Sequence, residues 1–229
     1  MKIAIMQPYF FPYIGYFQLI NAVDKFVIYD DVNFIKQGWI NRNKILSNEK
    51  SLLFSLETIG ASSFKTINQI YVGNNKKKLL KTFFYAYKKS KYFDVIYPLI
   101  EKIFLFQENN LSIFIENSII SISRYLGIQT EFVTSSTLNK NDNLRNQEKI
   151  IDICQLLNAS KYINSIGGRT LYDKSAFEKN GIELSFLKPI ISKYTQFKND
   201  FIPNLSIIDL MMFNSREIIK TKLNEYTLI

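Results

Sequence analysis

Three short runs in this 229-residue chain combine side chains that can do chemistry. The first is Gln7-Pro8-Tyr9-Phe10-Phe11-Pro12-Tyr13-Ile14-Gly15-Tyr16, where an amide, three phenols and a glycine lead into a helical pattern. A helix start offers free N–H groups to an anion, and Gly15 leaves room for close approach. The plainer reading is a hydrophobic loop packed under a sheet. Gln7 stands apart from it, because a polar amide ending a buried strand needs partners that a ligand can supply.

The second run pairs Asp30-Asp31 with Lys36, Trp39, Arg42 and Lys44. Two acids at a strand end can accept a proton, hold sugar hydroxyls or orient a magnesium ion, while the cations and Trp39 suit a phosphate and a base or sugar ring. Surface ion pairs explain the same charges equally well. Adjacent strand residues point to opposite faces, so one acid of the two lines a pocket, and Asp31 is preferred. The third run is Ser165-Ile166-Gly167-Gly168-Arg169: two glycines free the backbone at a strand end, and Arg169 adds a planar fork for phosphate or carboxylate.

The chain has no histidine. That removes Ser-His-Asp and Cys-His catalysis and every His-ligated zinc or iron site. A general base must come from Asp, Glu, Lys, Tyr or the substrate, and a carboxylate-bound magnesium stays compatible.

The elements that must position these runs follow from periodicity. Ile3–Met6 reads as a strand, the Pro/Gly loop leads to a helix over 16–23, and the β-formers of Lys25–Asp31 read as a strand buried on both faces. This βαβ unit brings Gln7 and Asp30-Asp31 to the carboxyl edge of parallel strands, where open α/β sheets bind ligands. A strand is expected at 52–56, a helix over 74–93, and a helical stretch from 98 to 104 and from 112 to 125 that ends at Gly127. A strand follows at 129–133, then the polar segment 135–146, read as a loop or hinge at an entrance. Helix 147–157 leads into a second strand, tight-loop, helix, strand unit over 162–187. Two helices, 205–212 and 215–224, close the chain, with Ser215 as a cap. The expectation is one α/β domain over 1–229: a Rossmann-like, mostly parallel sheet flanked by helices, with additional helical segments.

Composition narrows the partners. Lys and Arg total 29 against 20 acids, a net charge of +9, so anionic partners fit. The excess is mostly lysine in a chain also rich in Ile, Asn and Phe, a bias that by itself produces solvated lysine faces. Cys154 stands alone in the stripe Ile150, Ile151, Cys154, Leu157, where a thiol packs as a small hydrophobe. The apolar start stops at Gln7-Pro8, too short for a signal peptide, and no run reaches the roughly 18 apolar residues of a membrane span. A cytoplasmic protein is expected.

The run IAIMQPYFFPYIGYFQLINAVDKFVIYDDVNFIKQGWINRNKIL resembles the WbqC-like family, and KIIDICQLLNASKYINSIGGRTLYD, FEKNGIELSFLKP and FIPNLSIIDLMMFNS continue the similarity in order. The resemblance implies a role in O-antigen and related bacterial surface-glycan assembly, with transfer of glycine or a similar amino acid onto a sugar as one suggested reaction. The same N-terminal residues are similar to the HIGH-type segment of nucleotidylyltransferases and aminoacyl-tRNA synthetases, but Tyr13 and Tyr16 stand where those enzymes carry histidines. Tyrosine can donate a hydrogen bond to phosphate but brings no imidazolium charge.

Three functions follow as expectations. The first is a transferase moving an acyl or aminoacyl group onto an amino-sugar nucleotide or glycan, with Asp31 as base, Arg42 and Arg169 on phosphate, and Gln7, Tyr9, Tyr13, Gly15, Tyr16, Lys36, Trp39, Gly167 and Gly168 around the substrate. The second is nucleotidylyl transfer with magnesium, and the third a non-catalytic assembly protein of a glycan pathway. Nucleic acid is not expected as a partner; charged tRNA enters only as an amino-acid donor, and no RNA-binding motif accompanies it.

Overall fold

The computed structural model describes residues 1–197 and 200–229. Its centre is a six-stranded sheet. The first unit is β1 (Lys2–Met6), α1 (Ile14–Asn21) and β2 (Lys25–Ile28), with β1 and β2 parallel and Ile3 opposite Lys25. The crossover from β2 to the next sheet strand is long. It contains the hairpin β3 (Arg42–Ser47) and β4 (Lys50–Ser55), the small pair β5 (Thr58–Ile59) and β6 (Tyr71–Val72), and helices α2 (Lys76–Tyr87), α3 (Phe93–Phe104) and α4 (Leu111–Leu126).

The chain returns as β7 (Glu131–Thr134), α5 (Asn146–Leu156), β8 (Lys161–Ser165), a 3-10 turn over Ile166–Leu171, α6 (Lys174–Lys179) and β9 (Glu183–Pro189). It closes with α7 (Ile207–Phe213), α8 (Arg216–Lys222) and β10 (Tyr226–Leu228). The strand order is β10-β9-β8-β1-β2-β7, all parallel except β10, which runs antiparallel to β9.

Alternation along the strands splits the core into two layers. Ala4, Phe26, Ile28 and Ile163 face α1, α4, α7 and α8, while Ile3, Ile5, Val27 and Tyr162 face α5 and α6. The chain therefore leaves β1 toward one face and β8 toward the other. Neighbouring strands whose connections diverge in this way open a crevice at their carboxyl ends.

Local signals set the helix ends. Asn110 accepts the N–H groups of Ser112 and Ile113 to start α4, and Gly127, in the left-handed region at φ 78°, ends it. Ser215 caps α8 through the N–H of Ile218. Cys154 is buried, and burial pushes its thiol up to about 12, which leaves it as packing.

The helix expected over 74–93 covers only α2, which ends at Tyr87, and α3 starts at Phe93 rather than at 98; β3, β5, β6 and β10 went unread. No helix among the described residues is long and apolar enough to cross a membrane.

Candidate active site at the carboxyl edge

The loop after β1 is anchored from below by its own aromatic residues. Phe10 and Phe11 are fully buried, and Phe10 packs at 5.8 Å from both Phe104 and Phe114 while Phe11 packs at 5.9 Å from Phe83. Phe11 holds φ 47°, a left-handed backbone that bulky residues rarely adopt. It is held there by its carbonyl, which accepts from Asn43 Nδ2 at 2.9 Å and Ser206 Oγ at 2.8 Å. Strain fixed by surrounding structure concentrates at functional loops.

With Phe10 and Phe11 beneath, the polar members of the loop turn to the edge. Tyr16 donates to the Gln7 carbonyl at 2.9 Å, Tyr9 reaches Gln7 Oε1 at 3.5 Å, and the rings of Tyr9 and Tyr16 lie 5.6 Å apart. Burial holds the phenols of Tyr9 and Tyr13 above their ordinary range and that of Tyr16 well above it, so all three act as neutral donors. The room at Gly15 is already filled: a Cβ there would stand 2.5 Å from the Tyr13 ring. The close approach expected from a ligand is made by the protein itself.

The two acids lie beyond Ile28, the last residue of β2, and meet different partners. Asp30 is buried and accepts from Ser136 N at 2.9 Å and Ser136 Oγ at 2.7 Å, which fastens the turn after β7. Asp31 faces the other way. Its Oδ2 meets Lys140 Nζ at 2.8 Å and Lys149 Nζ at 2.9 Å, both on side chains almost wholly buried. Burial opposes ionisation of Asp31, but the two lysines outweigh it and hold the carboxyl below its usual range. Lys149 also lies 5.3 Å over the Tyr29 ring. A carboxylate held this firmly in its charged form is a weak proton acceptor, and the divergence of the two acids leaves no shared magnesium site between them. Among the described residues no three acidic or thiol side chains converge as a metal site.

Glu116, on α4, is a carboxyl that the sequence reading missed. Both its oxygens accept from Thr134 Oγ1, at 2.9 and 3.1 Å, at the carboxyl end of β7, and no cation stands within ion-pair distance among the described residues. Its proton affinity is raised, first by burial and then by the charge of Asp30, against the opposing bond from Thr134. Glu116 also lies close enough to Tyr16 to act on its phenol. The available signal was that LSIFIENSIISISRYL carries a single acid and a single base.

The remaining candidates scatter. Gly168 packs against the protein itself, since a Cβ there would stand 2.4 Å from Asn164 Nδ2, whereas Gly167 and Arg169 are exposed. Arg42 Nε donates to the Gly38 carbonyl at 2.8 Å and its guanidinium lies 5.7 Å from the Trp39 ring. Trp39 and Lys36 are exposed on the rim.

The model of the WbqC-like protein family matches residues 7–221, which takes in the β1 loop, Glu116 and the lysine pair. The uncharacterized protein Rv1507c of Mycobacterium tuberculosis is 28% identical over 215 residues, 92% of each chain. No solved structure matches. With a match over almost its whole length, and with the parallel sheet and ordered edge loop just described, the chain belongs to the WbqC-like protein family.

Proposed function

We propose that the protein is a transferase of bacterial surface-polysaccharide assembly, moving an acyl or aminoacyl group, glycyl being the smallest aminoacyl case, onto the amine of an amino-sugar nucleotide or glycan intermediate. The observation that carries this reading is Glu116, a half-buried carboxyl close to Tyr16, with no cation within ion-pair distance among the described residues. Acylation of an amine needs an acceptor for one proton: nitrogen bonds to the acyl carbon, the bond to the leaving group breaks, and the amine sheds a proton. A carboxyl of raised proton affinity suits that task better than one held ionised.

This reading moves the proton from Asp31, the base expected from the sequence, to Glu116. Asp31 instead steadies Lys140 and Lys149, whose two positive charges exceed its own single negative charge at the ends of β2 and α5. That excess favours an anionic substrate group nearby. Family membership supports the glycan setting.

The test is incubation with UDP-glucosamine, whose amine is free, and activated glycine donors, read by mass spectrometry. Glycyl-sugar product formed by the wild type and lost in Glu116→Gln, with calorimetric binding of UDP-glucosamine kept, is the expected result. Magnesium-dependent pyrophosphate release from a nucleoside triphosphate without acyl transfer would replace this reading with nucleotidylyl transfer.

A further inference from the structure

The rim of the carboxyl edge carries an apolar and basic surface that the proposed reaction does not use. Phe64 is 94% exposed, Ile35 53%, Leu53 48% and Trp39 46%. These side chains are joined by backbone. Asn33 bridges Thr66, and Phe34 N–H donates to the Lys65 carbonyl at 2.9 Å, a register that sets Ile35 opposite Phe64. Ile35 opens a tight turn closed by Gly38 N–H at 3.0 Å, and Arg42 ties that turn to β3. Along β3 and β4, Lys44 pairs with Leu53, and Lys44 Nζ lies 5.9 Å from the Trp39 ring.

Charge on this surface has one dominant sign. Between 33 and 66 stand Lys36, Arg42, Lys44, Lys50 and Lys65 against Glu49 and Glu57, and Glu57 is turned to the N–H of Asn74 at 3.0 Å. Apolar side chains on protruding turns, separated by cations, lack the continuous dry centre that a protein partner needs. They match a bilayer interface, where rings and aliphatic groups enter among headgroups while lysine and arginine meet lipid phosphates.

We infer that this face seats the protein peripherally on an anionic bilayer surface, with Phe64, Ile35 and Trp39 entering the headgroup layer. The face adjoins the β1 loop, because Phe10 N–H donates to the Ile40 carbonyl at 2.8 Å. Seating would therefore bring the carboxyl edge near the membrane. The inference is independent of the proposed reaction, since lipid binding needs no substrate.

Trp39 is the only tryptophan, so its fluorescence reports on this face alone. Vesicles of equal parts phosphatidylglycerol and phosphatidylcholine should shift its emission to the blue and sediment the protein, while pure phosphatidylcholine should do neither. Phe64→Ser with Ile35→Ser should weaken partitioning by about tenfold, Lys36→Glu with Lys65→Glu should weaken it as well, and added salt should reduce it. An unshifted Trp39 would overturn the inference. So would unchanged partitioning of the Phe64→Ser, Ile35→Ser variant, which would mean plain adsorption of a basic protein, or a stable dimer that buries this face and ignores lipid.

Discussion

Lys149 Nζ lies 2.9 Å from Asp31 Oδ2 on a side chain only 8% exposed, and Lys140 meets the same oxygen at 2.8 Å. This shared oxygen ties the polar loop 135–145 and the start of α5 to the end of β2. The sequence placed an acid at that edge; the fold placed it under two cations.

Asp31→Asn should therefore destabilise the protein by about 3 kcal/mol at pH 7, because it leaves two buried ammonium groups without their counter-charge. The depressed carboxyl pKa gives the sign with pH. Its stabilisation is full above the ordinary carboxylate range and fades as pH falls through the lowered value. Urea denaturation at pH 7 and pH 3 should show a large gap between variant and wild type at the first and a smaller one at the second; an equal gap would refute the ion-pair account.

Glu116 has the opposite dependence. Its folded-state affinity for a proton is raised, so its contribution is full when protonated and is lost as pH rises through that value. Glu116→Gln should leave the unfolding midpoint at pH 7 no lower than that of the wild type, with any gain disappearing toward pH 4. A midpoint several degrees lower at pH 7 would show that the ionised carboxyl is instead a structural anchor.

The two adjacent glycines should separate cleanly. Gly168→Ala drives a methyl to 2.4 Å from Asn164 Nδ2 and should cost about 1–3 kcal/mol, as overpacking does. Gly167→Ala meets nothing nearer than 4.0 Å and should be close to neutral in the same thermal unfolding measurement.

The strained loop gives a further outcome. Asn43→Ala removes one of the two donors that hold the Phe11 carbonyl, and should cost about 1–3 kcal/mol through the buried group left behind. It should also speed amide exchange through residues 9–13. Unaltered exchange there would mean that the aromatic packing of Phe10 and Phe11 alone fixes the loop.

The central βαβ unit was legible because Phe26, Val27 and Ile28 are β-formers in an unbroken apolar run, and because Gly127 and Ser215 mark helix ends by their backbone and hydroxyl chemistry. Of the hairpin only β4 was legible, from the apolar run at 52–56; β3 opens on Arg42, Asn43 and Lys44, a polar run that shows no alternation. At the site, Asp30 and Asp31 lie past the end of β2, and their partners Ser136, Lys140 and Lys149 come from more than a hundred residues away. Lys140 and Lys149 were hidden among 24 lysines, and Glu116 among the polar positions of a helix. Which of those faces the sheet edge is decided by packing of α4 on β7, and periodicity alone carries no such information.

A carbon NMR titration of the Glu116 carboxyl, assigned by comparison with Glu116→Gln, with and without UDP-glucosamine, tests its role as proton acceptor. Its proton affinity should stand above the ordinary glutamate range in the free protein and fall when the sugar's ammonium group binds beside it. An ordinary value that does not respond to the sugar nucleotide would contradict the assignment of Glu116 as proton acceptor.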